Sequence, residues 1–152
     1  MKKEWTRDYA TGAFIRYANR GCPTVEEYRQ EVQADVYRRC ALLPPNVIVV
    51  KSEAAILARR PLIEDFEAVA RTVRHFQEND QDLIARAIVA IYKGLPEDRP
   101  ASKKEITERV RRFSCDHYIS ESTLYRGLKQ ARLLFARFRG ITIGVSGDHF
   151  VF

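Results

Sequence analysis

The sequence has no long apolar run. No stretch approaches the roughly eighteen consecutive apolar residues that a membrane-spanning helix requires. The N-terminal segment MKKEWTRDY is positively charged, but it is not followed by the apolar segment of a secretory signal peptide. We therefore expect a cytoplasmic protein that makes no contact with a membrane.

Cysteine is scarce, and its spacing excludes two classes of small domain. Cys22, Cys40 and Cys115 are far apart and form no CxxC pair, so the sequence offers neither a disulfide framework nor a zinc ribbon. Cys115, Asp116 and His117 are adjacent, but a metal site would need two further ligands. A polar turn between two helices explains this group more simply, and we predict no metal site.

The residue patterns of enzymes are also missing. His75, His117 and His149 form no HExxH motif and do not lie beside an acid and a nucleophile at a known spacing. Glu64, Asp65 and Glu67 are close together, but they begin a predicted helix, where the helix dipole favours negative charge. We predict a protein that is not an enzyme and that holds no cofactor.

Positive charge is present and is unevenly distributed. The 152 residues carry a net charge of +6 and are 45% hydrophobic, which is enough to bury a core. Residues 1–100 contain 16 Lys and Arg against 15 Asp and Glu, whereas residues 101–152 contain 10 against 5. A concentrated basic surface favours a polyanion such as DNA. The alternative, that these cations only make the helices soluble, stays open.

Two amphipathic helices joined by a tight turn are predicted between Ser102 and Gly140. Ser102 and Glu105 have the spacing of a capping box, and Ser120 has the residue type of a second N-cap. Apolar residues then recur at helical spacing. In the first helix these residues are Ile106, Val110 and Phe113, and in the second they are Leu124, Leu128, Ala131, Phe135 and Phe138.

The other face of the second helix is polar or cationic. Its residues are Ser122, Thr123, Tyr125, Arg126, Lys129, Gln130 and Arg132. Such side chains can reach phosphates and base edges in the major groove of DNA. This composition predicts that the second helix is a recognition helix.

The segment ISESTLYR, residues 119–126, resembles the recognition half of the helix-turn-helix in region four of bacterial sigma factors. The longer pattern, which ends in ARLLF, is similar to small phage and prophage transcriptional regulators of the ArpU and RinA type. This resemblance implies a DNA-binding protein that controls late viral genes. The chain departs from the sigma pattern by about seven extra residues between Ile106 and Ser120, close to two helical turns or about 10 Å of helix.

The resemblance and the residue types together predict the DNA contacts. We expect groove contacts from Tyr125, Arg126 and Lys129, contacts near the helix start from Ser122 and Thr123, and phosphate contacts from Arg109, Arg111 and Arg112. Arg132 is also expected to bind DNA. The expected partners are double-stranded DNA, RNA polymerase and a second copy of the chain. Two other functions stay open: a DNA-packaging or assembly subunit that uses the same motif, and a module that docks the transcription machinery without strong DNA binding.

The predicted fold is mainly α. We expect an N-terminal helical module at residues 1–50, a four-helix domain resembling sigma region four at 51–140, and a C-terminal β-hairpin at 141–152. In the first module, helices are predicted at 6–20, with Ala10, Ala13, Phe14 and Tyr17 facing inward, and from Thr24 to about Ala41. Residues 46–51 contain four β-branched residues in succession, which favours a strand or an extended linker.

Overall fold

The computed structural model describes the backbone of residues 3–141 and the side chains of residues 9–141. Apart from Ile141, the predicted hairpin lies outside the described residues. Within the described range the chain forms seven helices and no strand, so the prediction of a mainly α fold is confirmed. The helices are α1 (Lys3–Asn19), α2 (Val25–Arg39), α3 (Pro45–Ala58), α4 (Arg60–Glu78), α5 (Asp82–Tyr92), α6 (Lys103–His117) and α7 (Glu121–Arg139).

The chain divides into two compact units. The larger unit consists of Met1–Cys22 and Ala68–Phe152, and the smaller unit is Pro23–Glu67. Helix α4 contributes its first residues to the smaller unit and the rest to the larger one. The module boundary predicted near residue 50 falls inside α3, and α1 belongs to the same unit as α6 and α7.

The smaller unit is built on a hairpin of α2 and α3. Thr24 caps α2, since its hydroxyl accepts a hydrogen bond from the backbone N–H of Glu27 at 3.1 Å. Tyr28 and Val32 are buried on α2, and the ring of Tyr28 meets that of Phe66 edge-on at 4.8 Å. The core of this unit is therefore small and combines aromatic with aliphatic side chains.

The strand or extended linker predicted at residues 46–51 is wrong, because these residues lie in α3. Pro44 is extended, and Pro45 occupies the first turn of the helix, where its fixed φ and missing N–H cost nothing. Ile48 is buried in the smaller unit. Packing against α2 thus overrides the β preference of the Val-Ile-Val-Val run.

The larger unit packs α1 against α5 and α7, while α5 and α6 each also contact α7. The inward residues predicted for α1 are confirmed, because Ala10, Ala13, Phe14 and Tyr17 are all buried. Phe14 stacks on Tyr92 at 5.4 Å and meets Phe135 edge-on at 5.7 Å. Helix α1 therefore supplies part of the core on which α7 rests.

A hydrogen-bonded loop connects α5 to α6. The side-chain amide of Asn19 donates to the carbonyl of Leu95 at 3.0 Å and to the Glu97 carboxylate at 3.1 Å. The backbone N–H of Gly94 donates to the Asn19 carbonyl oxygen, with Gly94 at a φ of 85°. These bonds hold the loop that leads into α6 against the end of α1.

Candidate nucleic-acid interface

Helices α6 and α7 are joined by a three-residue turn, Tyr118 to Ser120. Tyr118 adopts the left-handed conformation, with φ 55° and ψ 40°, which ends α6. The N–H of Ile119 donates to the carbonyl of Ser114 at 3.2 Å, and the Ser114 hydroxyl donates to the carbonyl of Ile119. Helix-turn-helix motifs use turns of this length. The two bonds with Ser114 hold this turn in one conformation.

Both helices begin with the caps that the sequence predicts. The Ser102 hydroxyl accepts from the N–H of Glu105 at 3.1 Å, and the Glu105 carboxylate accepts from the N–H of Ser102 at 3.4 Å. Arg99 donates to the same carboxylate at 3.1 Å, and this bond lowers the pKa of Glu105. The Ser120 hydroxyl accepts from the N–H of Thr123 at 3.2 Å. The capping box and the second N-cap are both confirmed.

The apolar face of α7 packs into the core of the larger unit. Leu124, Leu128, Ala131 and Phe135 are buried, as predicted, and Phe138 is half-buried with the Arg71 guanidinium 4.4 Å from its ring centre. The extra residues before the turn lie within α6, which runs without a break from Lys103 to His117. The extra residues relative to the sigma pattern therefore lengthen α6.

The opposite face of α7 is exposed. Tyr125 is 42% exposed, and Ser122, Arg126 and Lys129 are exposed as well. Thr123 is exposed but tied to the cap, since it accepts from the Ser120 hydroxyl at 2.7 Å and from the Arg126 guanidinium at 3.5 Å. The structure therefore brings together an aromatic ring, a guanidinium and an ammonium on one outward face.

Arg109 and Arg132 are placed differently from the other predicted contacts. The Arg109 guanidinium donates to the carbonyl of Ile91 at 3.0 Å and also to the carbonyl of Lys93. These carbonyls lie at the C-terminal end of α5, where the helix leaves acceptors unsatisfied and a cation is favoured. Arg109 thus has an internal role between α5 and α6. Arg132 is half-buried, at the edge of the exposed face.

Positive charge dominates the α6–α7 segment. Arg111 and Arg112 are exposed on α6, and Arg111 lies 4.0 Å from the Glu121 carboxylate, a distance that gives only a weak ion pair. Between residues 103 and 139 the sequence contains 10 Lys and Arg and 4 Asp and Glu, which leaves +6. The segment therefore has the charge that phosphate attracts.

Gly127 is a positioning residue that the sequence pattern does not identify. A Cβ at this position would lie 2.6 Å from Cδ1 and 3.1 Å from Cγ1 of Ile84 on α5. Ile84 is buried, so its side chain has little room to move. The absence of a side chain at Gly127 lets α7 lie directly on α5.

Gly127→Ala is expected to lower the free energy of unfolding by about 1 to 2 kcal/mol, because overpacking outweighs the gain of about 1 kcal/mol in helix propensity. Urea denaturation measures this. Ile84→Val in the same chain removes Cδ1 and should restore part of the loss. Gly12→Ala is a matched control, since a Cβ there meets only the end of Arg16 at 3.3 Å. Equal effects at Gly12 and Gly127 would contradict the close approach.

The polar group before the turn does not assemble into a metal centre. Cys115 is exposed, and the His117 ring lies 4.0 Å from the ring of Phe113. In the part of the chain that the structure describes, no group of three His, Cys, Asp or Glu residues is placed to hold a metal ion. Among the same residues, no helix combines the length and apolarity needed to cross a bilayer.

Comparison with known proteins identifies no relative of this chain. No family model matches it, and neither does any curated protein or solved structure. A function is therefore inferred from the contacts, exposure and charge of α6 and α7.

Proposed function

We propose that this protein is a sequence-specific DNA-binding regulator of transcription whose α7 enters the major groove. One observation carries the proposal: α7 buries its apolar face in the core and exposes Tyr125, Arg126 and Lys129 on the other. Arginine can bond a guanine edge with two donors, and lysine can reach guanine or phosphate. The short turn and the caps hold α7 relative to α6, as direct reading of bases requires.

The resemblance of ISESTLYR to sigma region four, and of the longer pattern to ArpU and RinA regulators, supports a role in phage or prophage gene control. In the proposed complex, Ser122 and Thr123 lie at the start of α7, where amides and hydroxyls meet a phosphate. Arg111 and Arg112 approach the backbone from α6. Arg109, which is held by α5, contributes by fixing α6 rather than by contacting phosphate.

Arg126→Ala is expected to weaken binding to the preferred site by about 1 to 3 kcal/mol, or roughly 5- to 150-fold, if Arg126 bonds a base edge. The site is first obtained by selection from random duplexes at moderate salt, and affinity is then measured by fluorescence anisotropy. Discrimination against a scrambled duplex should fall along with affinity, because a base contact is lost.

Arg86→Ala is the matched control for Arg126→Ala. Arg86 is an exposed arginine of the same unit, on α5 rather than on α6 or α7, and its partner is Asp82 at 3.4 Å. DNA affinity should stay within about 2-fold of the unsubstituted chain, since surface substitutions outside a site have small effects. Unchanged affinity of Arg126→Ala, or failure of selection to yield a consensus, contradicts the proposal.

A DNA-packaging or assembly subunit is the second candidate. It is favoured by exposed apolar side chains in the smaller unit, among them Leu42, Val50 and Leu57. Light scattering separates the two functions. A ring of many copies favours assembly, whereas a monomer or dimer that selects a consensus site favours regulation.

A further inference from the structure

Glu121 is the one acidic residue of α7, which also contains five Lys and Arg. It is the first residue of the helix, and 46% of its side chain is exposed. It was not among the predicted DNA contacts. A carboxylate at the start of a helix that meets DNA is repelled by phosphate, so charge attraction does not account for it.

The local structure leaves the Glu121 carboxylate able to accept hydrogen bonds. The cap of α7 does not use it, because the N–H of Thr123 donates to the Ser120 hydroxyl at 3.2 Å. Among the residues that the structure describes, its ionic partner is Arg111, with 4.0 Å between Nε and the carboxylate, which is longer than a hydrogen bond. The carboxylate oxygens therefore have acceptor capacity left for a donor from outside the chain.

Glu121 lies at the end of α7 that the proposed function places in the major groove. Recognition helices contact base edges with their N-terminal residues. Tyr125, four residues on, shares this side of the helix and is 42% exposed. Arg111 has five N–H donors, so it can face Glu121 through Nε and a phosphate through its terminal nitrogens. The guanidinium would thus reduce the repulsion between the carboxylate and the DNA backbone.

The chemistry of the base edges selects what Glu121 can bind. A carboxylate accepts hydrogen bonds and donates none. In the major groove guanine presents two acceptors, and thymine presents an acceptor and a methyl group, so neither base offers it a donor. Adenine presents its N6 donor beside the N7 acceptor, which repels a carboxylate, whereas cytosine presents the N4 amino donor. Cytosine is therefore the base that fits Glu121 best.

We propose that Glu121 is a specificity-determining residue that accepts a hydrogen bond from the N4 amino group of a cytosine. The inference rests on the proposed function, because it requires α7 to lie in the major groove. It adds that the preferred site contains a C·G base pair facing the start of α7. At other base pairs the carboxylate meets acceptors, so Glu121 also disfavours binding to the wrong sequence.

Glu121→Gln tests this assignment. Sites are selected from random duplexes with the unsubstituted chain and with the variant, and affinities are then measured by fluorescence anisotropy on duplexes that differ at one base pair. A glutamine amide can bond N6 and N7 of adenine together, so the preferred base should change from cytosine to adenine. The ratio of affinities for cytosine and adenine should fall by about 10-fold or more. Affinity for a scrambled duplex should not fall, because a negative charge is removed.

Asp82→Asn is the matched control. Asp82 is the first residue of α5 in the same unit, its side chain is 61% exposed, and the substitution removes the same charge at a helix start. The helix dipole favours an acid at both positions, so loss of that effect can lower stability in either variant without changing base preference. Asp82→Asn should leave the selected site unchanged.

Glu121→Ala is a second variant, and it replaces Glu121→Gln should the latter fail to fold. Alanine at this position can bond no base edge, so the requirement for cytosine should relax and no new preference should appear. A circular dichroism spectrum like that of the unsubstituted chain shows that the variant is folded.

Three results overturn the inference while leaving the proposed function in place. These are a selected site without a cytosine that Glu121 variants affect, a ratio for cytosine and adenine that Glu121→Gln changes by less than about 2-fold, and an equal change in Asp82→Asn. If the unsubstituted chain selects no site at all, the proposed function fails and this inference fails with it. A site that depends on Arg126 but not on Glu121 contradicts only the inference.

Discussion

Phe14→Ala is expected to lower the free energy of unfolding by about 3 to 5 kcal/mol, a large part of the stability of a small domain. Phe14 is fully buried and contacts Tyr92 on α5 and Phe135 on α7. Truncation leaves a cavity beneath three helices at once, and the surrounding rings can only partly fill it. Urea denaturation followed by circular dichroism measures the loss.

Tyr118→Ala is the control for Phe14→Ala, because it removes an aromatic ring that is almost completely exposed in the same unit. The substitution should change the free energy of unfolding by no more than about 0.5 kcal/mol. Any effect of placing alanine at this left-handed backbone position adds to that value. If α7 binds DNA as proposed, the Phe14 variant should also bind DNA more weakly once it begins to unfold. A Phe14→Ala protein as stable as the unsubstituted chain would contradict the role of α1 in the core under α7.

The free energy of unfolding is expected to fall between about pH 10 and pH 12, and ionisation of Tyr17 should contribute on the order of 1 to 2 kcal/mol of that fall once solvent screening of this partly buried group is allowed for. Burial and the nearby Cys22 side chain raise the pKa of Tyr17 to about 12, and Arg74 offsets part of this rise. The folded protein therefore holds Tyr17 neutral at a pH where the unfolded chain ionises it. The stabilisation is complete below pH 10 and is lost as the pH rises through 12.

Tyr17→Phe removes this ionisation and provides the measurement. Between pH 8 and pH 11.5 the urea midpoint of the unsubstituted chain should fall more than that of Tyr17→Phe, because the variant has no ionisable group at this position. Absorbance titration of the folded protein should show one fewer late-ionising tyrosine in the variant. Parallel pH dependence of the two proteins would contradict a raised pKa at Tyr17.

Local patterns predicted the α6–α7 segment well. Ser102 with Glu105 and Ser120 with Thr123 act within one helical turn, so their hydrogen bonds can be inferred from spacing. The same holds for the inward positions of α1, since an amphipathic helix buries its apolar face whatever it packs against. Of the predicted recognition residues of α7, Ser122, Thr123, Tyr125, Arg126 and Lys129 are exposed for this reason.

Local sequence patterns could not predict contacts between residues that are far apart in the sequence. Arg109 looked like a phosphate contact because its residue type suits one, yet it donates to carbonyls at the end of α5. Gly127 and Ile84 are 43 positions apart in the chain and meet only because α5 packs on α7. Spacing along a single helix cannot show which residues of another helix approach it.

By itself, the sequence determined where α1, α2, α6 and α7 lie and which face of α7 is apolar, because caps and helical periodicity act over a few residues. The tertiary structure decided that residues 46–51 are helical, that α1 shares a core with α7, and that Arg109 faces inward. These outcomes depend on which surfaces meet. Burial against a partner contributes more free energy than the local preferences of a short segment, so packing prevails where the two disagree.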